Sequence, residues 1–264
     1  MKDKAFGIRL VVVLICAYSL LPVFSGAQNR TESFDKAIKE TVVDLGPSPY
    51  YPGKNPPHGQ LRCHYFPSFV VKELDWGQKG DDWISFAPNI PSNPAPCVQD
   101  RVAGEAMMPV ADGNAGYFYG VKANLVFLSA VDCFNLGCPF GIYDPSTAKK
   151  LFEDQLRLSL KGKAAQIRFE RAGQRLVMHY PRVVTTECSL PQKKTECWNK
   201  ILRSTGLAQQ PMPKCFGYGG FDKQTVFGTD DLSDPSVVSF QVEVTLPELK
   251  AHVPGGPVAC WAAE

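Results

Sequence analysis

Val238-Ser239-Phe240-Gln241-Val242-Glu243-Val244-Thr245-Leu246 alternates apolar and polar residues without a break. A period of two is that of a β-strand with one face in a core and the other in water. Its register is fixed, because a slip of one residue would turn every apolar side chain into solvent. The odd-numbered residues belong to the wetter face. The same period recurs upstream at Leu176, Met178 and Tyr180, at Ala165, Ile167 and Phe169, and at Leu156, Leu158 and Leu160. Lys161-Gly162-Lys163 and Arg171-Ala172-Gly173-Gln174 supply the turns, so the segment predicts an antiparallel meander. Further upstream, Tyr117–Val121 and Leu125–Ala130 flank Lys122-Ala123-Asn124, where asparagine tolerates the left-handed backbone of a tight hairpin.

Two stretches read as helices. Asn29 with Glu32 three positions on forms a capping-box arrangement, and Phe34, Ala37, Ile38 and Val42 follow at helical spacing, which predicts an amphipathic helix over residues 29–43. Asn29-Arg30-Thr31 is also a glycosylation sequon. Over residues 194–205, Cys197, Trp198, Ile201 and Leu202 share one helical face, and Gly206 stops the helix. Over residues 142–153 two readings compete: Asp144-Pro145 can open a helix carrying Leu151 and Phe152, or Asp144-Pro145-Ser146-Thr147 can be a turn between strands, and the turn is favoured. The string from Ile142 to Leu151 around it resembles hairpins of β-propeller blades. A propeller needs a repeat of about 40 residues, and none recurs. The proline-rich runs 46–60 and 87–96 hold neither helix nor central strand, because proline lacks the donor that both require.

The fold class is therefore mainly β: an antiparallel β-sandwich or open barrel with an N-terminal helix and a small disulfide-pinned helical insertion at about residues 188–215. Residues 1–27 read as a signal peptide, 28–60 as the N-terminal helix and proline-rich connector, and 61–264 as the β-rich domain. Lys2, Lys4 and Arg9 precede an apolar stretch over 10–24, and Ser25-Gly26-Ala27 offers the small residues of a cleavage site, which places the mature N-terminus at Gln28. Cys16 lies in that segment and eight cysteines follow it: Cys63, Cys97, Cys133, Cys138, Cys188, Cys197, Cys215 and Cys260. An even set in an exported chain reads as four disulfides. Cys133–Cys138 closes a turn through Asn135 and Gly137, and Cys63–Cys97 is the second pair; the other four cysteines allow three connectivities.

The mature chain holds 25 basic and 25 acidic residues. That balance argues against nucleic acid or an anionic membrane as partner. No segment after the signal is apolar for the roughly 18 residues a membrane helix needs. Motifs for nucleophilic or metal-dependent hydrolysis are missing, and His58, His64, His179 and His252 are scattered, so neither metal nor cofactor is predicted. Asp230, Asp231 and Asp234 read as a solvated acidic turn in preference to a calcium loop, since Leu232 and Pro235 interrupt the spacing. Trp76, Trp83, Tyr117 and Tyr119 fall on or beside strand edges and are the candidate binding surface, set against the plainer reading that they are core. The expected function is that of a secreted or periplasmic, noncatalytic binding or envelope-associated protein that meets a ligand or protein partner. Its rival is a secreted glycan hydrolase with paired carboxylates, for which Asp132, Asp144, Asp154, Asp75, Asp81 and Asp82 stand near turns.

Overall fold

A computed structural model describes residues 30–109, 115–158, 167–218 and 229–263; residues 1–29, where the sequence predicts a signal peptide and its cleavage site, and Ala165 lie outside them. The first strand is β1 (Arg30–Glu32). It is followed by β2 (Lys39–Pro47), β3 (His58–Tyr65), β4 (Phe69–Asp75), β5 (Trp83–Pro88) and β6 (Ala106–Met107), which pair in that order as a five-stranded antiparallel sheet. Next come β7 (Tyr117–Lys122), β8 (Leu125–Ser129), β9 (Gly137–Asp144), β10 (Lys149–Arg157), β11 (Arg168–Ala172) and β12 (Arg175–Thr185). The chain ends with helix α1 (Leu190–Thr205), β13 (Cys215–Phe216), β14 (Ser236–Leu246), β15 (Lys250–His252) and β16 (Ala259–Ala262). A larger sheet runs β13-β16-β14-β12-β10-β9-β8-β7, with β11 on β12, β1 on β11 and β15 on β14. The fold is mainly β; the predicted hairpin of β7 and β8, the pairing of β11 with β12 and the 144–147 turn are formed, whereas β10 pairs with β9 and β12 and not with β11, and Leu160 and the predicted turn Lys161-Gly162-Lys163 lie outside the described residues.

The two sheets meet through Phe66, Phe69, Val71, Ile84 and Phe86 on one side and Val121, Val126 and Leu128 on the other. Alternate residues of the same strands face away into two further cores. Leu61, Cys63, Tyr65, Val70 and Ala87 lie under the 89–105 loop. Phe127, Phe140, Ile142, Phe169, Met178 and Tyr180 pack with β14 and with the buried face of α1, which presents Cys197, Trp198, Ile201 and Leu202 as the sequence predicts. Ser189 caps the helix by accepting from Gln192 N, a kink sits at Lys194, and Gly206 ends it at φ 73°. Phe127 and Phe169 meet at 5.9 Å although β9, β10 and β12 lie between their strands, so the larger sheet is strongly curled.

The predicted N-terminal helix is not formed; residues 30–47 contribute strands β1 and β2. Thr41, Val43 and Leu45 take the inward positions of β2, and Ile38 is 65% exposed, so a period of two prevails over the helical spacing. The β-branched run Thr41-Val42-Val43 favours the same outcome. Phe34, instead of facing a helix, plugs the curl of the larger sheet with its ring 5.0–5.4 Å from those of Tyr119, Phe127 and Phe169. Gly120 makes room, since a Cβ there would come within 2.6 Å of that ring. The segment is held by Lys122, whose Nζ sits 2.8 Å from Glu32 and 2.9 Å from Asp35, and Glu32 also binds Arg171 at 2.5 Å. Arg171 and Lys122 hold the Glu32 carboxyl down at about 2.

The register of β14 also departs in part from expectation. Gln241, Glu243 and Thr245 face outward, but Ser239 is buried, because Val183, Val237 and Trp261 make a small core on that side of the strand's beginning.

The cysteines pair as Cys63–Cys97, Cys133–Cys138, Cys188–Cys197 and Cys215–Cys260. The third ties α1 to the end of β12, and the fourth joins β13 to β16. Among the described residues no helix is long and apolar enough to cross a membrane.

A pair of charge insertions checks this account. Val242→Asp, at a fully buried position, is expected to cost about 3 kcal/mol or more, whereas Ile38→Asp should stay within roughly 0.5 kcal/mol of the parent in urea unfolding. A large loss at Ile38 would restore the helical reading, in which that side chain is inside.

Candidate functional site

A groove of about 720 Å³ lies on the intersheet side of the larger sheet. Leu128 and Ser129 of β8 with Pro139, Gly141 and Tyr143 of β9 form its floor; Met108 and Pro109 beyond β6 and Ala115 and Gly116 before β7 form one wall. Asp132, Glu153 and Asp154 also line it. Strand register sorts these carboxylates. Glu153 is opposite Gly141 and Gln155 opposite Pro139, on the groove face, while Asp154 is opposite Phe140, whose ring belongs to the core beneath α1. The Asp154 carboxylate accordingly turns away from the groove: it accepts from the Tyr180 hydroxyl and from Arg182 Nε at 2.6 Å. Asp132 is paired with Lys79, and Glu153 with Lys150. Of the carboxylates named from sequence, only Asp132 and Asp154 reach this place. Asp144 is a turn residue that accepts from Ser146 N, Ser146 Oγ and Thr147 Oγ1 at 2.7–2.9 Å, and the Ser146 contacts hold its carboxyl below the usual range.

A second polar cluster lies in the smaller sheet on its face toward the larger one. His64 Nε2 of β3 is 2.6 Å from Glu73 Oε1 of β4, and His64 Nδ1 is 3.5 Å from Glu40 of β2. Burial alone would lower the His64 pKa, but Glu73 and Glu40 outweigh it and hold it above the ordinary value. Asp81 is 2% exposed and Glu73 6%, so these two carboxyls are closed to a substrate. Asp75 accepts from Arg62 at 3.1 Å and from Gly77 N at 2.7 Å, and Asp82 accepts from Trp76 N at 3.1 Å.

On the opposite face of the same sheet, Lys72 Nζ is fully buried, 2.9 Å from Glu105 Oε2, and it also donates to the carbonyls of Val98 and Asp100. Glu105 accepts in addition from the Ser85 hydroxyl and from Val102 N. Burial would raise the Glu105 pKa, yet Ser85, Val102 and Lys72 together hold it below the carboxylate range. Lys72, Glu73, His64 and Glu105 were not picked out from sequence. The signal was there in Phe69-Val70-Val71-Lys72-Glu73-Leu74, where two charges interrupt an apolar run and must find partners once buried.

The four aromatic candidates do not share a face. Trp83 packs against the core under the 89–105 loop, and Tyr119 packs beside Phe34 in the core of the larger sheet. Trp76 lies over Gly59, where a Cβ would come within 2.1 Å of the indole. Tyr117 is 42% exposed, and its hydroxyl accepts from Gly80 N. A bulge between Phe118 and Gly120 separates Tyr119 from Val121, which sit in different cores against the simple alternation read from sequence.

Among the described residues no group of His, Cys, Asp and Glu is placed to hold a metal ion. Asp231 caps its own turn by accepting from Ser233, and Asp234 accepts from Thr229. Compared with known protein families, curated proteins and solved structures, the chain matches none.

Removing one partner of the Lys72–Glu105 pair tests its role. Lys72→Met should cost about 3–5 kcal/mol in urea unfolding, because it strands a buried carboxylate, and adding Glu105→Leu should recover a large part of that loss. Additive losses would mean that the two groups are not coupled.

Proposed function

We propose that this chain is an extracytoplasmic, disulfide-bonded protein that works by contact with a ligand or partner in the groove between its sheets. The charged start, apolar stretch and small residues before Gln28 support export, and four disulfides fit an oxidising compartment. The sheets stacked through Phe69, Val71, Ile84, Val126 and Leu128 support the sandwich reading, with the larger sheet curled toward an open barrel. The observation that carries the binding reading is the groove's chemistry. Its floor and wall offer Leu128, Pro139, Tyr143 and Met108, and each of its carboxylates already has a cation or hydroxyl partner. Such a surface presents apolar area and fixed polar groups, which suits recognition. Of the four aromatic candidates Tyr117 alone is exposed, and it pairs with Ser129 at the end of the floor without itself lining the groove.

Asp132 and Glu153 both line the groove, and that single fact keeps the glycan-hydrolase reading as a second one. An array of glycans and peptides probed with disulfide-intact protein separates the two. Contact predicts saturable binding to one class without turnover, lost in Ala130→Trp, which fills the groove. Turnover of a glycan that disappears in Asp132→Asn or Glu153→Gln would establish the hydrolase. Binding unaffected by Ala130→Trp would remove the groove from the account.

A further inference from the structure

Asp81 ties the two sheets together through its backbone and faces another acid with its side chain. Its amide donates to Gly116 O at 2.8 Å and its carbonyl accepts from Ala115 N at 2.8 Å, while Gly80 N donates to the Tyr117 hydroxyl. On the other side, Asp82 N donates to Leu74 O at 2.7 Å. Residues 76–82, the turn between β4 and β5, are thereby fastened to the beginning of β7. The Asp81 side chain is buried against the Glu73 carboxyl, with Asp75 and Arg62 the other charges facing it, and among the described residues no donor reaches Asp81 Oδ2. Glu73 is engaged in turn by His64, whose second nitrogen faces Glu40 and whose ring lies 4.9 Å from that of Phe118 of β7.

Two adjacent ionised carboxyls in a buried site would repel strongly, and an acceptor oxygen without a donor would remain unsatisfied. A proton on Asp81 resolves both problems, because a carboxylic acid donates to its carboxylate neighbour. The imidazolium form of His64, with an N–H toward each of Glu73 and Glu40, completes the arrangement. We propose that the Asp81–Glu73 pair is a proton-held latch that fastens the 76–82 turn to β7 and releases it as pH rises.

The direction follows from linkage. Burial, then the Glu73 charge, push Asp81 from its ordinary 3.8 up to about 8, so between these values the folded chain keeps a proton that the unfolded chain has lost. Stability therefore falls as pH rises from about 4 to about 8 and is not regained above that. His64 acts in the same sense: its pKa is raised, so its contribution is complete below the ordinary histidine value and is lost as pH rises through the folded one. Lys79 of the turn pairs with Asp132, and Ala115 and Gly116 belong to the groove wall, so release of the latch would loosen that wall. The latch does not depend on the groove having a ligand.

The test is a carboxyl-carbon NMR titration of the disulfide-intact protein, with hydrogen-exchange protection factors for the Asp81, Asp82 and Ala115 amides from pH 6 to pH 10. Asp81 should titrate near 8, and protection at these amides should fall by about tenfold per pH unit above it, one proton being linked to opening, while β12 and β14 stay protected. In Asp81→Asn, whose amide still donates to Glu73 and has no proton to lose, protection should stay flat. An Asp81 pKa near 4, or the same loss in the parent and in Asp81→Asn, would overturn the proposal. If that variant does not fold, the titration of the parent decides alone.

Discussion

A strand that buries both of its faces leaves no polar side to meet water, so every apolar surface it carries must be covered by something else. That constraint runs through this molecule. In β8, Val126 and Leu128 face the smaller sheet while Leu125 and Phe127 face the core beneath α1. In β4, Phe69 and Val71 face the larger sheet while Val70 faces the 89–105 loop. The covers are short or irregular pieces: a loop rich in proline, a helix of 16 residues, and an N-terminal segment that places Phe34 over Gly120. None has enough local pairing to hold itself down.

Each cover is accordingly fixed by a polar or covalent lock. Cys63–Cys97 and the Lys72–Glu105 pair hold the 89–105 loop, Cys188–Cys197 holds α1, and Lys122 with Glu32 and Asp35 holds the N-terminal segment. Buried charges are weak sources of stability, since desolvation offsets most of their attraction, but they penalise any arrangement that leaves one unpaired. Here that penalty selects which segment lies on which face. The Asp81–Glu73 pair belongs to the same class, with a proton in place of a cation.

What could be read from the sequence follows the same division. Strand β14 and the hairpin of β7 and β8 were legible because their patterns or turn residues are local, and α1 because its apolar stripe meets a single core. Residues 29–43 misled because Phe34, Ala37, Ile38 and Val42 happen to fall at helical spacing, while the period of Thr41, Val43 and Leu45 is enforced by pairing with β3, a partner remote in sequence. Strand β4 shows little alternation because both its faces are covered, and the locks pair residues as distant as Lys72 and Glu105. Of the site, the sequence offered Asp132, but not the groove that it lines, which is assembled from β8, β9 and the residues beyond β6 and before β7.

Contact at a groove fits a chain whose apolar core is self-sufficient and whose cross-links secure the surface pieces around it. Native-state hydrogen exchange before and after gentle reduction of the disulfides tests that division most directly. Loss of protection confined to the 89–105 loop, α1 and the 209–218 segment, with β12 and β14 still the slowest to exchange, is the result expected here. Collapse of protection in β12 and β14 together with the covers would show instead that the disulfides hold the core itself, and would contradict the account.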